Sequence, residues 1–105
     1  MRRIRLFPAD ELGPNKARQV VLDDGPPIAV YNLNGEFFAT DDTCTHGEAS
    51  LAEGEIEGDE IVCPFHMGAF DIRSGEATKA PCTKALRTHA VCIVGASLYV
   101  TLGEE

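Results

Sequence analysis

The chain has 105 residues, the size of one domain, and 44% of them are apolar, enough for a modest core. Its 17 acidic and 9 basic residues give a net charge of −8, which repels phosphate backbones and anionic lipid, so neither nucleic acid nor membrane is an expected partner. The basic start, Met1 to Pro8, lacks the apolar run of a signal peptide, and no segment reaches the length of a membrane span. A cytoplasmic protein is expected, and its four cysteines then point to metal or redox chemistry before structural bridges.

Short apolar runs broken by Gly, Pro, Asn and Asp predict an all-β domain over residues 1–105, without a linker or repeat. Ile4 to Phe7 reads as a first strand and Ala9 to Leu12 as one helical turn. Gln19 to Leu22 reads as a strand, followed by a turn through Asp23-Asp24-Gly25-Pro26-Pro27. Ile28 to Asn32 and Glu36 to Ala39 flank Asn34-Gly35, the strongest hairpin signal in the chain. Ile56 to Val62 includes a strand that leads into the second of two unusual motifs. At the far end, Leu86 to Val94 alternates, Gly95-Ala96-Ser97 turns, and Leu98 to Leu102 closes a last hairpin.

The two motifs are Cys44-Thr45-His46 and Cys63-Pro64-Phe65-His66, separated by the 16 residues from Gly47 to Val62. Each supplies one thiolate and one imidazole from a loop rich in turn-forming residues. A single Zn²⁺ accepts such a set in a tetrahedron. A [2Fe–2S] cluster accepts two Cys on one iron and two His on the other. Zinc fingers usually pair Cys with Cys and His with His, whereas here each motif is mixed. A mixed pair per loop suits two bridged irons, because each loop then reaches both.

At these residues the sequence resembles the Rieske family: Cys44-Thr45-His46, then Cys63-Pro64-Phe65-His66-Met67-Gly68-Ala69-Phe70-Asp71, match its two cluster-binding loops. The resemblance implies one [2Fe–2S] cluster, with Cys44 and Cys63 on an inner iron and His46 and His66 on an outer, solvent-facing one. It implies an antiparallel β-sandwich base carrying a small cluster-binding subdomain, about residues 43–82. Respiratory Rieske proteins carry an extra Cys in each loop, a Ser and a Tyr near the cluster, and a membrane anchor. Ala49, Phe65, Gly68 and Phe70 stand at those four positions, and no anchor is expected. The chain is therefore more similar to the ferredoxins of bacterial aromatic-ring dioxygenase systems. These carry single electrons from an NAD(P)H-dependent flavoprotein reductase to a terminal oxygenase and are not themselves enzymes. Without hydroxyls at 68 and 70, a potential near the low end of the Rieske range, roughly −150 to +300 mV, is expected. Two other readings remain: a small Rieske-like subunit of a reductase such as nitrite reductase, and a zinc-binding interaction module.

The other candidates have ordinary expected roles. Cys82 is expected to be a small buried thiol and Cys92 a core residue of the last hairpin. Pro81 either shields the cluster or simply turns the chain. His89 is expected at the surface of its strand. Phe37 and Phe38 pack within theirs. The run Glu53, Glu55, Glu57, Asp59 and Glu60 reads as a solvated face, and Glu48, Met67 and Pro81 as the rim of an electron-exit edge. A monomer is expected.

Overall fold

The computed structural model describes residues 2–23, 25–45, 49–64, 68–80, 82 and 84–102. Asn34 and Gly35 both adopt left-handed backbone, φ 54° and 98°, as a tight two-residue hairpin turn requires. The turn joins β3 (Ile28–Leu33) to β4 (Glu36–Asp41), which pair without a break from Leu33 and Glu36 to Ile28 and Asp41. On the other edge of β3 lies β2 (Lys16–Val20), also antiparallel. It starts earlier than the sequence suggests, because Asn15 takes a left-handed turn at φ 59°. It ends before Val21, which is 75% exposed.

The chain opens with β1 (Arg2–Pro8), followed by a 3-10 turn over Ala9–Glu11. β1 pairs with the final strand β10 (Ser97–Leu102), which forms the closing hairpin with β9 (Thr88–Val94). β9 meets β4 through only two residue pairs, Ala39–His89 and Thr40–Thr88. The resulting six-stranded order is β1-β10-β9-β4-β3-β2. Its two halves fold face to face: Ile28, Val30 and Ala39 of one half share a core with Phe7, Leu98 and Val100 of the other. This is the expected β-sandwich.

A second antiparallel sheet is inserted between β4 and β9. It consists of β5 (Glu55–Glu57), β6 (Glu60–Val62), β7 (Ala69–Asp71) and β8 (Ala77–Lys79). The single strand read from Ile56 to Val62 is thus a hairpin, reversed at Gly58 with φ 64°. β3 is the wall between two cores. Ile28 and Val30 face the sandwich, while Ala29, Tyr31 and Leu33 face Leu51, Ile61, Phe70 and Ile72 of the inserted part. All six residues of β3 are buried, which is why its sequence, Ile-Ala-Val-Tyr-Asn-Leu, is nearly continuous in apolar character.

Two expectations for β9 are reversed. Cys92 is exposed, not core, because Thr88, Ala90, Cys92 and Val94 form the outward face. His89 points the other way: its side chain is 6% exposed, and its Nε2 lies 2.9 Å from Asp41 Oδ1. Arg87 Nε reaches the other oxygen of the same carboxylate at 3.0 Å. Among the described residues, no helix is long and apolar enough to cross a membrane.

Candidate metal centre

The first motif leaves β4 through Asp42, and the second joins β6 to β7. Both loops are closed by the same hydrogen bond. Cys44 N–H donates to the carbonyl of Ala49 at 3.0 Å, and Cys63 N–H to that of Gly68 at 2.7 Å, each five residues on. Cys44 and Cys63 are almost fully enclosed, at 2% and 1% exposure. The paired histidines, His46 and His66, fall inside these two loops in sequence but lie outside the described residues, as do Glu48, Phe65, Met67 and Pro81.

Asp42 anchors the first loop. Its carboxyl accepts hydrogen bonds from Gln19 Nε2 at 2.8 Å and from the Ala52 backbone N–H at 2.9 Å. Its own carbonyl accepts from Leu51 N–H at 2.8 Å. One buried side chain thereby ties β2, the exit of β4 and the 3-10 turn at Leu51–Glu53 together. The sequence offered a clue in Asp41-Asp42, two acids at the end of an apolar strand just before Cys44-Thr45-His46, yet it did not suggest which one is buried.

A third thiol stands against the pair. Cys82 is buried, and its Sγ is 3.8 Å from Cys44 Sγ. Burial, the contact with Cys44 and the charges of Cys44 and Cys63 push its thiol up to about 12. Cys44, Cys63 and Cys82 belong to one buried cluster, so thiols from separate segments converge on one place. The segment bearing Cys82 is fixed to the rest by Cys82 N–H to Lys79 O at 3.1 Å and Thr45 Oγ1 to Lys84 O at 2.8 Å. Cys82 was expected to be a buried thiol, and it is; its place beside Cys44 was not legible from 38 residues away.

This setting fits an iron–sulfur cluster. Two thiols on matched loops back onto Leu51, Ile61 and Phe70 in an apolar, water-poor core. Beside the second loop, Glu53, Glu55 and Glu57 line a cleft of about 260 Å³ that reaches Val62, Cys63 and Pro64. Further along the acidic run, Asp59 and Glu60 pair with Arg73 and Lys79. Ala49, standing where respiratory relatives carry a bridging Cys, is buried and has no sulfur to offer.

Residues 2–90 match the family model described as the Rieske [2Fe–2S] domain. The ferredoxin component of the p-cumate 2,3-dioxygenase system of Pseudomonas putida is 44% identical over 101 residues, covering 95% of this chain and 86% of that protein. The fold superimposes with a TM-score of 0.90, at 41% identity, on a chain in the complex of reduced oxygenase and oxidised ferredoxin of carbazole 1,9a-dioxygenase. That match covers 93% of this chain and 91% of the other. A Mycobacterium tuberculosis protein assigned as the small subunit of an NADH-dependent nitrite reductase has a TM-score of 0.85 over 98% of this chain and 96% of that one. Its 19% identity shows a common fold alone. The zinc reading therefore gives way to one Rieske-type [2Fe–2S] cluster. With its motifs, its two-part β fold and these relatives taken together, the chain belongs to the Rieske [2Fe–2S] family, beside the ferredoxin components of aromatic-ring dioxygenase systems.

Proposed function

We propose that Cys44, His46, Cys63 and His66 hold the cluster and that the protein is a soluble one-electron carrier in an aromatic-ring dioxygenase system. It accepts electrons from an NAD(P)H-dependent flavoprotein reductase and delivers them to a terminal oxygenase. The observation that carries this reading is the matched pair of loops, in which Cys44 and Cys63 each close a five-residue step and converge in one buried place. Residues 1–105 act as one cytoplasmic, monomeric domain, with residues about 43–82 as the cluster-binding part.

The cluster supplies reversible one-electron chemistry. The chain's own residues do the rest. Asp42 and Gly68 hold the two loops in fixed positions, so that little rearrangement accompanies a change of charge. Leu51, Ile61 and Phe70 exclude water behind the thiols. The net charge of −8 steers encounter with a basic partner surface. Stopped-flow mixing of the reduced protein with an oxidised dioxygenase component tests the role. Fast, salt-sensitive transfer is expected, and a rate no faster than with an unrelated flavoprotein would overturn it.

A further inference from the structure

Cys82 is not one of the proposed ligands, yet it touches one. Its Sγ and that of Cys44 are 3.8 Å apart, within hydrogen-bonding reach for sulfur, and both are buried where water does not compete. Its position is tightly defined. Cys82 N–H is tied to Lys79 O at 3.1 Å, and Gly68 abuts the thiol so closely that a Cβ there would stand 2.5 Å from Cys82 Sγ. The same Gly68 carbonyl accepts from Cys63 N–H. The thiol thus fills the side-chain space of position 68, at the junction of both ligand loops.

We propose that Cys82 donates an S–H hydrogen bond to the Cys44 thiolate of the loaded protein and so raises the reduction potential of the cluster. This rests on the ligand assignment above. Reduction adds one negative charge, which spreads onto the ligand sulfurs. A proton-bearing donor aimed at one of them favours the reduced form more than the oxidised form. Cys82 is a positioning and tuning residue: it binds no iron and passes no electron.

The test is a redox titration of the purified, cluster-loaded protein and its Cys82→Ala and Cys82→Ser variants, with iron content measured in each. Cys82→Ala removes the donor. It should keep the cluster and weaken reduction roughly three- to tenfold in equilibrium constant, the upper end corresponding to about 59 mV for one electron. Cys82→Ser restores a donor and should recover most of that loss. In the reduced wild type, an exchangeable-proton coupling seen by electron–nuclear double resonance should disappear in Cys82→Ala and return in Cys82→Ser. Equal potentials in all three proteins, or equal losses in both variants, would overturn the proposal. If Cys82→Ala fails to load, Cys82→Ser decides alone: a reduction equilibrium constant within about threefold of wild type supports the donor role, and a larger loss overturns it. A Cys44→Ala protein that keeps its cluster while both Cys82 variants lose it would instead overturn the ligand assignment.

Discussion

Cys82 Sγ lies directly over Gly68, so that the missing side chain of the glycine is what makes room for the thiol. A Cβ at position 68 would also be 3.1 Å from Cys82 N and from Lys79 O, both backbone atoms with little freedom to move. From the sequence, a serine at this position is expected simply to offer a hydroxyl and raise the potential. The structure changes that expectation. Gly68→Ser alone should overpack the loop, costing about 1–3 kcal/mol and lowering cluster occupancy. Combining it with Cys82→Ala should recover part of the occupancy, because the nearest obstacle is then gone. Iron per protein and the thermal midpoint of the single and double variants check this.

The Asp42 carboxyl is the second point on which the loops depend. Asp42→Ala leaves the Ala52 N–H and the Gln19 amide without their acceptor, a cost of about 1–3 kcal/mol. Asp42→Asn keeps one acceptor oxygen and should fall between. Denaturant unfolding of the loaded protein gives the stabilities. Iron release under a chelator should follow the same order, since the loop beginning at Cys44 starts two residues later.

Tyr31 ties β3 to β4. It is fully buried, and its hydroxyl lies 2.9 Å from Thr40 Oγ1. Thr40 Oγ1 in turn donates to the Asp41 carbonyl, so Tyr31 is the donor of the pair. Burial raises the phenol above its ordinary range, and the nearby Asp42 adds to the rise. The folded state therefore holds this proton more tightly than the unfolded chain. The corresponding stability is present at neutral pH and is lost as pH climbs past about 10, where the unfolded phenol ionises. Tyr31→Phe should cost about 0.5–1.5 kcal/mol at neutral pH. Its deficit should shrink above pH ~10, as measured by thermal melts across that range.

The acidic strip beside the second loop is the natural place to disturb partner encounter. Glu53, Glu55 and Glu57 are exposed and adjoin Cys63 and Pro64. A Glu55→Lys, Glu57→Lys double variant should slow electron transfer to the oxygenase severalfold at low salt and flatten its salt dependence, with the visible spectrum unchanged. Glu11→Lys, in the sandwich half, should matter far less, although it also gives up the pair with Arg18 at 3.3 Å. Rates over a salt series for the three proteins decide it.

Much of this was legible in the chain. Asn34-Gly35 announced its hairpin because few residue pairs tolerate two left-handed positions in a row. The two Cys–His motifs stood out because mixed Cys and His at such short spacing has few uses besides holding a metal. The hairpin at Gly58 was harder, since strands of three residues carry almost no period-2 signal. The facing of β9 was misread for a related reason. Thr88, Ala90, Cys92 and Val94 are scarcely more polar than His89, Val91 and Ile93, so alternation alone did not choose a face. His89 is drawn inward by the Asp41 carboxylate, a partner 48 residues away. The same distance problem hid Asp42 and Cys82, whose importance lies in what folding brings beside them.

The protein, purified without oxygen, should contain two irons and two acid-labile sulfides and take up one electron with a rhombic EPR signal, as a two-iron centre with mixed Cys and His ligation does. Cys44→Ala and Cys63→Ala should abolish that signal, and His46→Ala and His66→Ala nearly so. One zinc per chain without sulfide, or a full cluster surviving any of the four substitutions, would contradict the account.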